Sequence, residues 1–358
     1  LISEGLKTSS LYIANTSGSS GHPFYFAKNK FCHSMTWALI KSRYSMHKIN
    51  MDSKQARFFG ISLKTSSWIN EKLKDYIMNR VRFPVFDLSN ENIEAFIRLF
   101  EKKKFQYIYG YVNSLVLFSR KLIKDQKILK EICPSLEYCI TTAEMLTSLD
   151  RDILEKAFGI PIINEYGVSE AGGLVAFEDP DGNWLINRET AYIEIVGEDG
   201  KQVPDGHEGS IIITDLYNKA MPFIRYNVGD IGLIKKHKTI NGYKILDKLI
   251  GRTNDNIILP SGKVSPGLTF YYISRSILES SGILKEFIIR QTSLDTFIFD
   301  VVSNEDISAS DIKSIKIEMD RYLESGLHLK INRVKKIKRS NSGKLKHFHS
   351  ELTINKEN

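Results

Sequence analysis

The 358-residue chain is poor in cysteine: Cys32, Cys133 and Cys139 are an odd number, with no C-x-x-C spacing and no nearby histidine cluster. That argues against a disulfide framework or a structural zinc site and favours a reducing compartment, so a cytoplasmic location is expected. No apolar run approaches the roughly 18 residues that a membrane-spanning helix requires, so no integral membrane segment is expected. Walker A, dinucleotide G-x-G-x-x-G and H-E-x-x-H patterns are absent, and there is no internal repeat. The basic tail from Lys335 onward has Phe348 as its only aromatic residue, which argues against a nucleic-acid partner that would need interleaved stacking aromatics.

What is there fits a globular protein with a substantial core, at 42% hydrophobic and 26% charged residues. The length suggests two or three domains. The net charge of +8 comes from Lys and Arg spread along the chain; it is compatible with nucleic acid, a membrane surface or anionic small-molecule substrates, and most commonly marks only a solvated charged face. From Phe24 to Asn164 strand-like and helix-like segments alternate, the pattern of parallel α/β layers. Helices are expected over Asn29–Tyr44, after a Ser89 cap, over Asn113–Lys124 and over Ser148–Phe158. Strands are expected at Phe105–Tyr109, Leu136–Thr141 and Ile160–Asn164. From about Trp184 β-rich segments such as Ala191–Val196 and Ser210–Thr214 predict an antiparallel section. After Gly251 the pattern resets to a small α+β domain, with strands at Glu286–Arg290 and Phe297–Val302, a helix from about Ser310 to Ser325 and a last strand at Leu327–Ile331.

Five segments bear on chemistry. Thr16-Ser17-Gly18-Ser19-Ser20-Gly21 combines hydroxyls with glycines, and a turn of that kind can donate to phosphate oxygens; a plain loop has the same composition. Asn164-Glu165-Tyr166-Gly167-Val168-Ser169-Glu170 follows a buried strand, where ligands of parallel α/β sheets sit. There Tyr166 could stack on a base, Gly167 would allow close approach, and Glu170 could hold a hard cation. In the loop expected over Thr214–Asp230, Asp230 follows Gly229 and suits a ribose diol, although Asp at a turn is often only a turn former. Gly251-Arg252-Thr253-Asn254-Asp255 favours a bend and offers a guanidinium for phosphate or ribose. Ser342-Gly343-Lys344 presents an ammonium on a flexible turn in the basic tail.

In this order, TSGSSGHP, YGVSE, MPFIRYNVGD, GRTND and SGK resemble the motif series of the adenylate-forming superfamily of acyl- and aryl-CoA synthetases. YGYVNS, TTAEML ahead of RDILEKAFG, and NKAMPFIRYNVGD look most like its phenylacetate–CoA ligase and capsular-polysaccharide CapK-type branch. The similarity runs over nearly the whole chain. It implies an α/β core domain over residues 1–252, incomplete at its start because the Ser/Gly loop stands so early, and a small mobile α+β domain over 253–358.

The resemblance also implies site roles and partners, a carboxylic acid and a nucleotide. Thr16 to Gly21 would hold the ATP β- and γ-phosphates, Ala143 and Glu144 would lie near the adenine, and Tyr166 would stack on it. Glu170 would hold Mg²⁺, Asp230 would bind the ribose hydroxyls, Arg252 would contact ribose or phosphate, and Lys344 would be the catalytic lysine. Coenzyme A is the expected acceptor; an amine or carrier, in surface-polysaccharide synthesis, and a non-catalytic nucleotide-binding homologue are the alternatives. Three residues depart from the pattern: His22 replaces a common lysine, Asn254 the usual hinge carboxylate, and Arg339 a proline. Glu178–Asn187 has neither the Cys nor the His with which some relatives bind zinc, so no zinc is expected.

Overall fold

The structure is a computed structural model that describes residues 2–15, 24–59, 72–85, 90–252, 256–266, 284–303, 305–337 and 348–352. Strands β1 (Leu11–Asn15) and β2 (Tyr25–Asn29) pair antiparallel, and helix α1 (Lys30–Ser45) follows directly. Then come β3 (Gln55–Phe58), β4 (Arg80–Phe83), helix α2 (Asn90–Lys102), β5 (Tyr107–Tyr111) and helix α3 (Val112–Lys124). A short helix α4 (Leu129–Ile132) leads to β6 (Tyr138–Thr142), helix α5 (Ser148–Phe158) and β7 (Ile162–Val168). Strands β3 to β7 lie parallel in the order β4-β3-β5-β6-β7, as alternating strands and helices dictate.

Sequence chemistry explains why these elements form. Ile93, Phe96, Ile97 and Phe100 recur at helical spacing and make the buried stripe of α2. The Ser89 cap expected for that helix lies outside the described residues. At α5, the Thr147 hydroxyl accepts from the Asp150 amide while the Asp150 carboxylate reaches back to the Thr147 amide, a reciprocal cap. Gly159 ends that helix at φ 66°, a left-handed conformation that favours glycine.

The sheet's two faces differ. One is dry: Phe58, Phe83, Phe96, Phe100, Phe118 and Phe158 pack together under α2, α3 and α5, with Phe58 and Phe83 stacked at 4.7 Å. Each fully buried Phe contributes about 1.5–3 kcal/mol. On the other face Leu39 and Tyr44 of α1 join Tyr107, Ile140, Ile163 and Phe177. Polar side chains share that face, which bears on the site below. The middle of the sheet is tight. A Cβ at Gly110 would stand 2.7 Å from the Phe58 Cβ and 3.2 Å from its carbonyl oxygen. Gly110→Ala is therefore expected to destabilise the protein by about 1–3 kcal/mol, seen as a lower midpoint in thermal or urea unfolding.

The antiparallel section begins at β8 (Gly173–Glu178), which turns back on β7, and continues through β9 (Trp184–Ile186), β10 (Ala191–Val196) and β11 (Glu208–Asp215). It ends in two long strands, β12 (Tyr226–Ile240) and β13 (Tyr243–Arg252), and the whole makes one eleven-stranded sheet. Here the structure corrects the sequence reading. Gly229-Asp230 lies within β12 rather than in a loop, and Gly251-Arg252 belongs to the end of β13 rather than to a bend. Likewise Tyr166-Gly167-Val168 is the last part of β7, not the loop after it.

By contact density the chain divides into two units. One holds the described residues up to Leu249 except Gly229–Ile231; the other holds Gly229–Ile231 and the described residues from Ile250 on. In the second, β14 (Asn256–Ile258) pairs with β15 (Val264–Pro266). Strands β16 (Leu284–Gln291) and β17 (Thr296–Ser303) form an antiparallel pair flanked by parallel β18 (His328–Arg333) and β19 (Phe348–Ser350). Helix α6 (Ala309–Tyr322), capped by Ser308, brings Ile315 and Met319 into a core with Phe287, Phe297 and Phe299. Among the described residues no helix is long and apolar enough to cross a membrane.

Candidate functional site

Parallel pairing sets the site. Thr142 of β6 is level with Glu165 of β7, so Ala143-Glu144 leave the end of β6 beside Tyr166-Gly167, which continue β7 and pair with β8. Ligands of such sheets bind at the carboxyl ends of the strands. Ala143 is exposed with φ 65°, a conformation uncommon for a residue with a Cβ. The Glu144 carboxylate accepts from the Asn113 amide at 2.8 Å, in the first turn of α3, where negative charge is favoured. Glu144 thus fixes the chain turn after β6 whatever else it meets.

Tyr166 is mostly buried, its ring edge-on to Trp184 at 6.2 Å and packed with Phe26, Val168 and Ala171. The β7–β8 register shifts between Tyr166 and Gly167, which re-aims the strand end. Gly167 itself is exposed, and a Cβ there would sit 3.1 Å from the Gly173 carbonyl oxygen. Glycine is favoured by the neighbouring strand as well as by any ligand. Glu170 lies in the tight turn to β8, half-buried, where its carboxylate accepts from the Tyr226 hydroxyl at 3.2 Å.

The structure therefore gathers Ala143, Glu144, Tyr166, Gly167 and Glu170 within one unit. Asp230 is buried in β12, within the segment that groups with the second unit. Arg252 ends β13. Thr16, Ser17, Gly18, Ser19, Ser20, Gly21, His22, Asn254, Arg339 and Lys344 lie outside the described residues. Arg225, in the same run as Asp230, is engaged elsewhere: its guanidinium meets Glu194 at 3.2 Å and the Gly200 carbonyl at 3.0 Å. Within Glu178–Asn187, Asp179 builds a turn by accepting from the Asp181 and Asn183 amides, and among the described residues no cluster of three metal-type side chains occurs.

Sequence reasoning passed over the most constrained carboxylate in this region. Glu165, one residue before Tyr166, is buried and accepts hydroxyls from Tyr109 at 2.8 Å, Thr142 at 2.9 Å and Tyr44 at 3.1 Å. Burial pushes its carboxyl above the usual range, opposed by the three hydroxyls and by the charge of Arg57. Burial and the Glu165 charge in turn hold the Tyr44 and Tyr109 phenols well above theirs. The Arg57 guanidinium lies over the Phe59 ring at 4.1 Å and near the Tyr109 ring at 4.9 Å, which extends this polar belt to β3. The signal was present: a glutamate inside an otherwise buried strand, with Tyr107, Tyr109 and Tyr111 alternating two strands away.

Comparison with known proteins places these features. No family model matches the chain. Protein CapK of Staphylococcus aureus is 25% identical over 354 residues, covering 94% of this chain and 74% of CapK. The phenylacetate-coenzyme A ligase of Escherichia coli K12 is 31% identical over 137 residues, 37% of this chain and 31% of that enzyme's length. Among solved structures, 2-hydroxyisobutyryl-CoA ligase, in the postadenylation state with its acyl-AMP bound, superposes with a TM-score of 0.71 at 17% identity, covering 97% of this chain and 75% of the ligase. The large α/β part and the smaller sheet-containing C-terminal part have the fold of that ligase.

Proposed function

We propose, from the premise that the chain belongs to the CapK and phenylacetate–CoA ligase branch of the adenylate-forming superfamily, that it is an AMP-forming carboxylate ligase. A carboxylate oxygen of the acid attacks the α-phosphorus of ATP, the bond to the β-phosphate oxygen breaks, and acyl-adenylate and pyrophosphate result. The thiol of coenzyme A then attacks the acyl carbon and AMP leaves. The observation that carries this reading is the placement of Ala143-Glu144 just after β6, beside Tyr166-Gly167 in the last part of the neighbouring strand β7, with Glu170 in the turn that follows β7.

In this reading the Tyr166 strand end receives the adenine beside Ala143, Asp230 and Arg252 serve ribose and phosphate, and Thr16 to Gly21 hold the β- and γ-phosphates. Lys344 meets the reacting carboxylate and α-phosphate. Two anions must approach, so positive charge is needed in the transition state. Glu170 fits a Mg²⁺ ion, because Mg²⁺ takes one or two carboxylates and fills its remaining positions with phosphate and water. Bound there, the metal would neutralise phosphate charge.

Incubating the full chain with ATP, labelled pyrophosphate and a panel of aryl and aliphatic acids should show acid-dependent exchange. No exchange with any acid, alongside tight nucleotide binding, would favour a non-catalytic nucleotide-binding homologue. Asp230→Ala is expected to weaken AMP and ATP alike, by about tenfold or more, through loss of charge-assisted bonds to the ribose. Equal affinities in calorimetric titration would remove Asp230 from the site.

A second reading keeps adenylation and changes the acceptor. The CapK similarity spans 94% of this chain against 37% for the phenylacetate ligase, which favours the CapK-like alternative; in that reading the acceptor is an amine or a carrier in surface-polysaccharide synthesis. AMP release that coenzyme A fails to stimulate, and that an amine acceptor does stimulate, would select this reading.

A further inference from the structure

Lys28 is a buried cation with no hydrogen-bond partner among the described residues. It lies in β2, 3% exposed, and its ammonium donates to none of those residues, nor does it form an ion pair with any of them. Burial covers the side chain while the ammonium itself is not fully enclosed, so the nitrogen can meet an acceptor that comes from outside the core. Its nitrogen lies over the Phe26 ring, 5.8 Å from the centroid, and Phe26 shares a core cluster with Tyr166 and Val168.

The carboxylates around it are already engaged. Asp215, at the end of β11, accepts from the amides of Gly172, Tyr217 and Asn218 at 3.0, 2.9 and 3.0 Å. Glu170 accepts from Tyr226. Both are electrostatic neighbours of Lys28, as is the Cys32 thiol. They favour a charged ammonium without satisfying its three N–H donors. The position is held firmly, since the Asn218 side chain donates to the Ala27 carbonyl at 3.0 Å and so ties β2 to the turn after β11.

We propose that Lys28, with Glu170 among its electrostatic neighbours, binds the pyrophosphate portion of the nucleotide from β2. This rests on the nucleotide-binding reading above. A bound polyphosphate offers the acceptor oxygens that the ammonium lacks, and Glu170 and Lys28 together present one negative and one positive group to a metal-bound triphosphate. A substrate lacking the β- and γ-phosphates has no use for Lys28.

The test is a set of titrations of the full chain with ATP, inorganic pyrophosphate and AMP, each in the presence of Mg²⁺. Lys28→Met, which keeps the stem and removes the charge, should weaken ATP and pyrophosphate by about ten- to a hundredfold while leaving AMP within about twofold. Lys28→Arg should retain most of the ATP affinity, and its thermal unfolding shows whether position 28 tolerates change. Unchanged ATP and pyrophosphate affinity in Lys28→Met overturns the assignment, as does an equal loss for AMP, which would mark a structural role. If the unaltered protein binds none of the three, the nucleotide reading itself falls and Lys28 falls with it. Should Lys28→Met fail to fold, Lys28→Gln takes its place: loss of pyrophosphate binding with AMP binding intact supports the assignment, and unchanged pyrophosphate binding overturns it.

Discussion

Lys344→Ala is expected to lower acid-dependent pyrophosphate exchange by about 10²–10³-fold, while ATP affinity changes by about twofold or less. What matters is when the charge is needed. The acid's carboxylate and the α-phosphate repel one another most as the new bond forms, so a cation assigned to that step stabilises the transition state more than bound ATP. Loss of kcat with little change in ATP binding is the signature of such a group. Thioester formation from supplied acyl-adenylate should persist, because the attack by the thiol comes after pyrophosphate has gone. Exchange near the wild-type rate would return Lys344 to the solvated lysines of a basic tail, and a parallel loss of ATP affinity would make it a ground-state binder instead.

The second large effect is expected at Glu165. In Glu165→Leu the hydroxyls of Tyr44, Tyr109 and Thr142 lose their common acceptor inside the sheet, and unsatisfied buried polar groups are expensive. A loss of about 3–5 kcal/mol follows, measured by denaturant unfolding without ligand. Glu165→Gln keeps an acceptor and separates the charge from the hydrogen bonds. Because burial raises the folded-state pKa of Glu165 above 4.5, the folded protein holds this proton more tightly than the unfolded chain. The group's stabilising contribution is full below about pH 4.5 and is lost as pH rises through the folded value. Glu165→Gln should therefore gain stability relative to the wild type as pH rises from about 4.5 toward neutrality. A flat difference across that range would mean that the three hydroxyls and Arg57 fully compensate the buried charge.

What could be read in advance followed from local chemistry. Helix α5 matches its expected bounds because Thr147, Asp150 and Gly159 mark both ends through their own backbone bonds. The α2 stripe was equally plain, since four apolar residues sit at helical spacing in a polar segment. Strand β12 was not legible. Its Gly229-Asp230 pair has turn composition, and its far end, Lys235 to Thr239, is exposed on both faces, so no alternation betrays a strand. Pairing with the preceding and following strands, β11 and β13, overrode the local preference. At the site, motif order brought Tyr166, Gly167 and Glu170 into view. Glu165 and Lys28 escaped because their significance is burial, and burial depends on residues more than fifty positions away, such as Tyr109 and Asp215.

The contact between Cys32 and Asp215 has a consequence for experiment. The thiol donates to the carboxylate at 3.6 Å, and burial, followed by that negative neighbour, pushes its pKa up to about 12. Alkylating reagents attack thiolates, so while α1 rests against the end of β11 this sulfur is chemically silent at neutral pH. Its labelling rate then times the separation of those two elements rather than the acidity of the group. The chain thus contains its own clock for loosening beside the Gly172 turn, readable by mass spectrometry without an added probe.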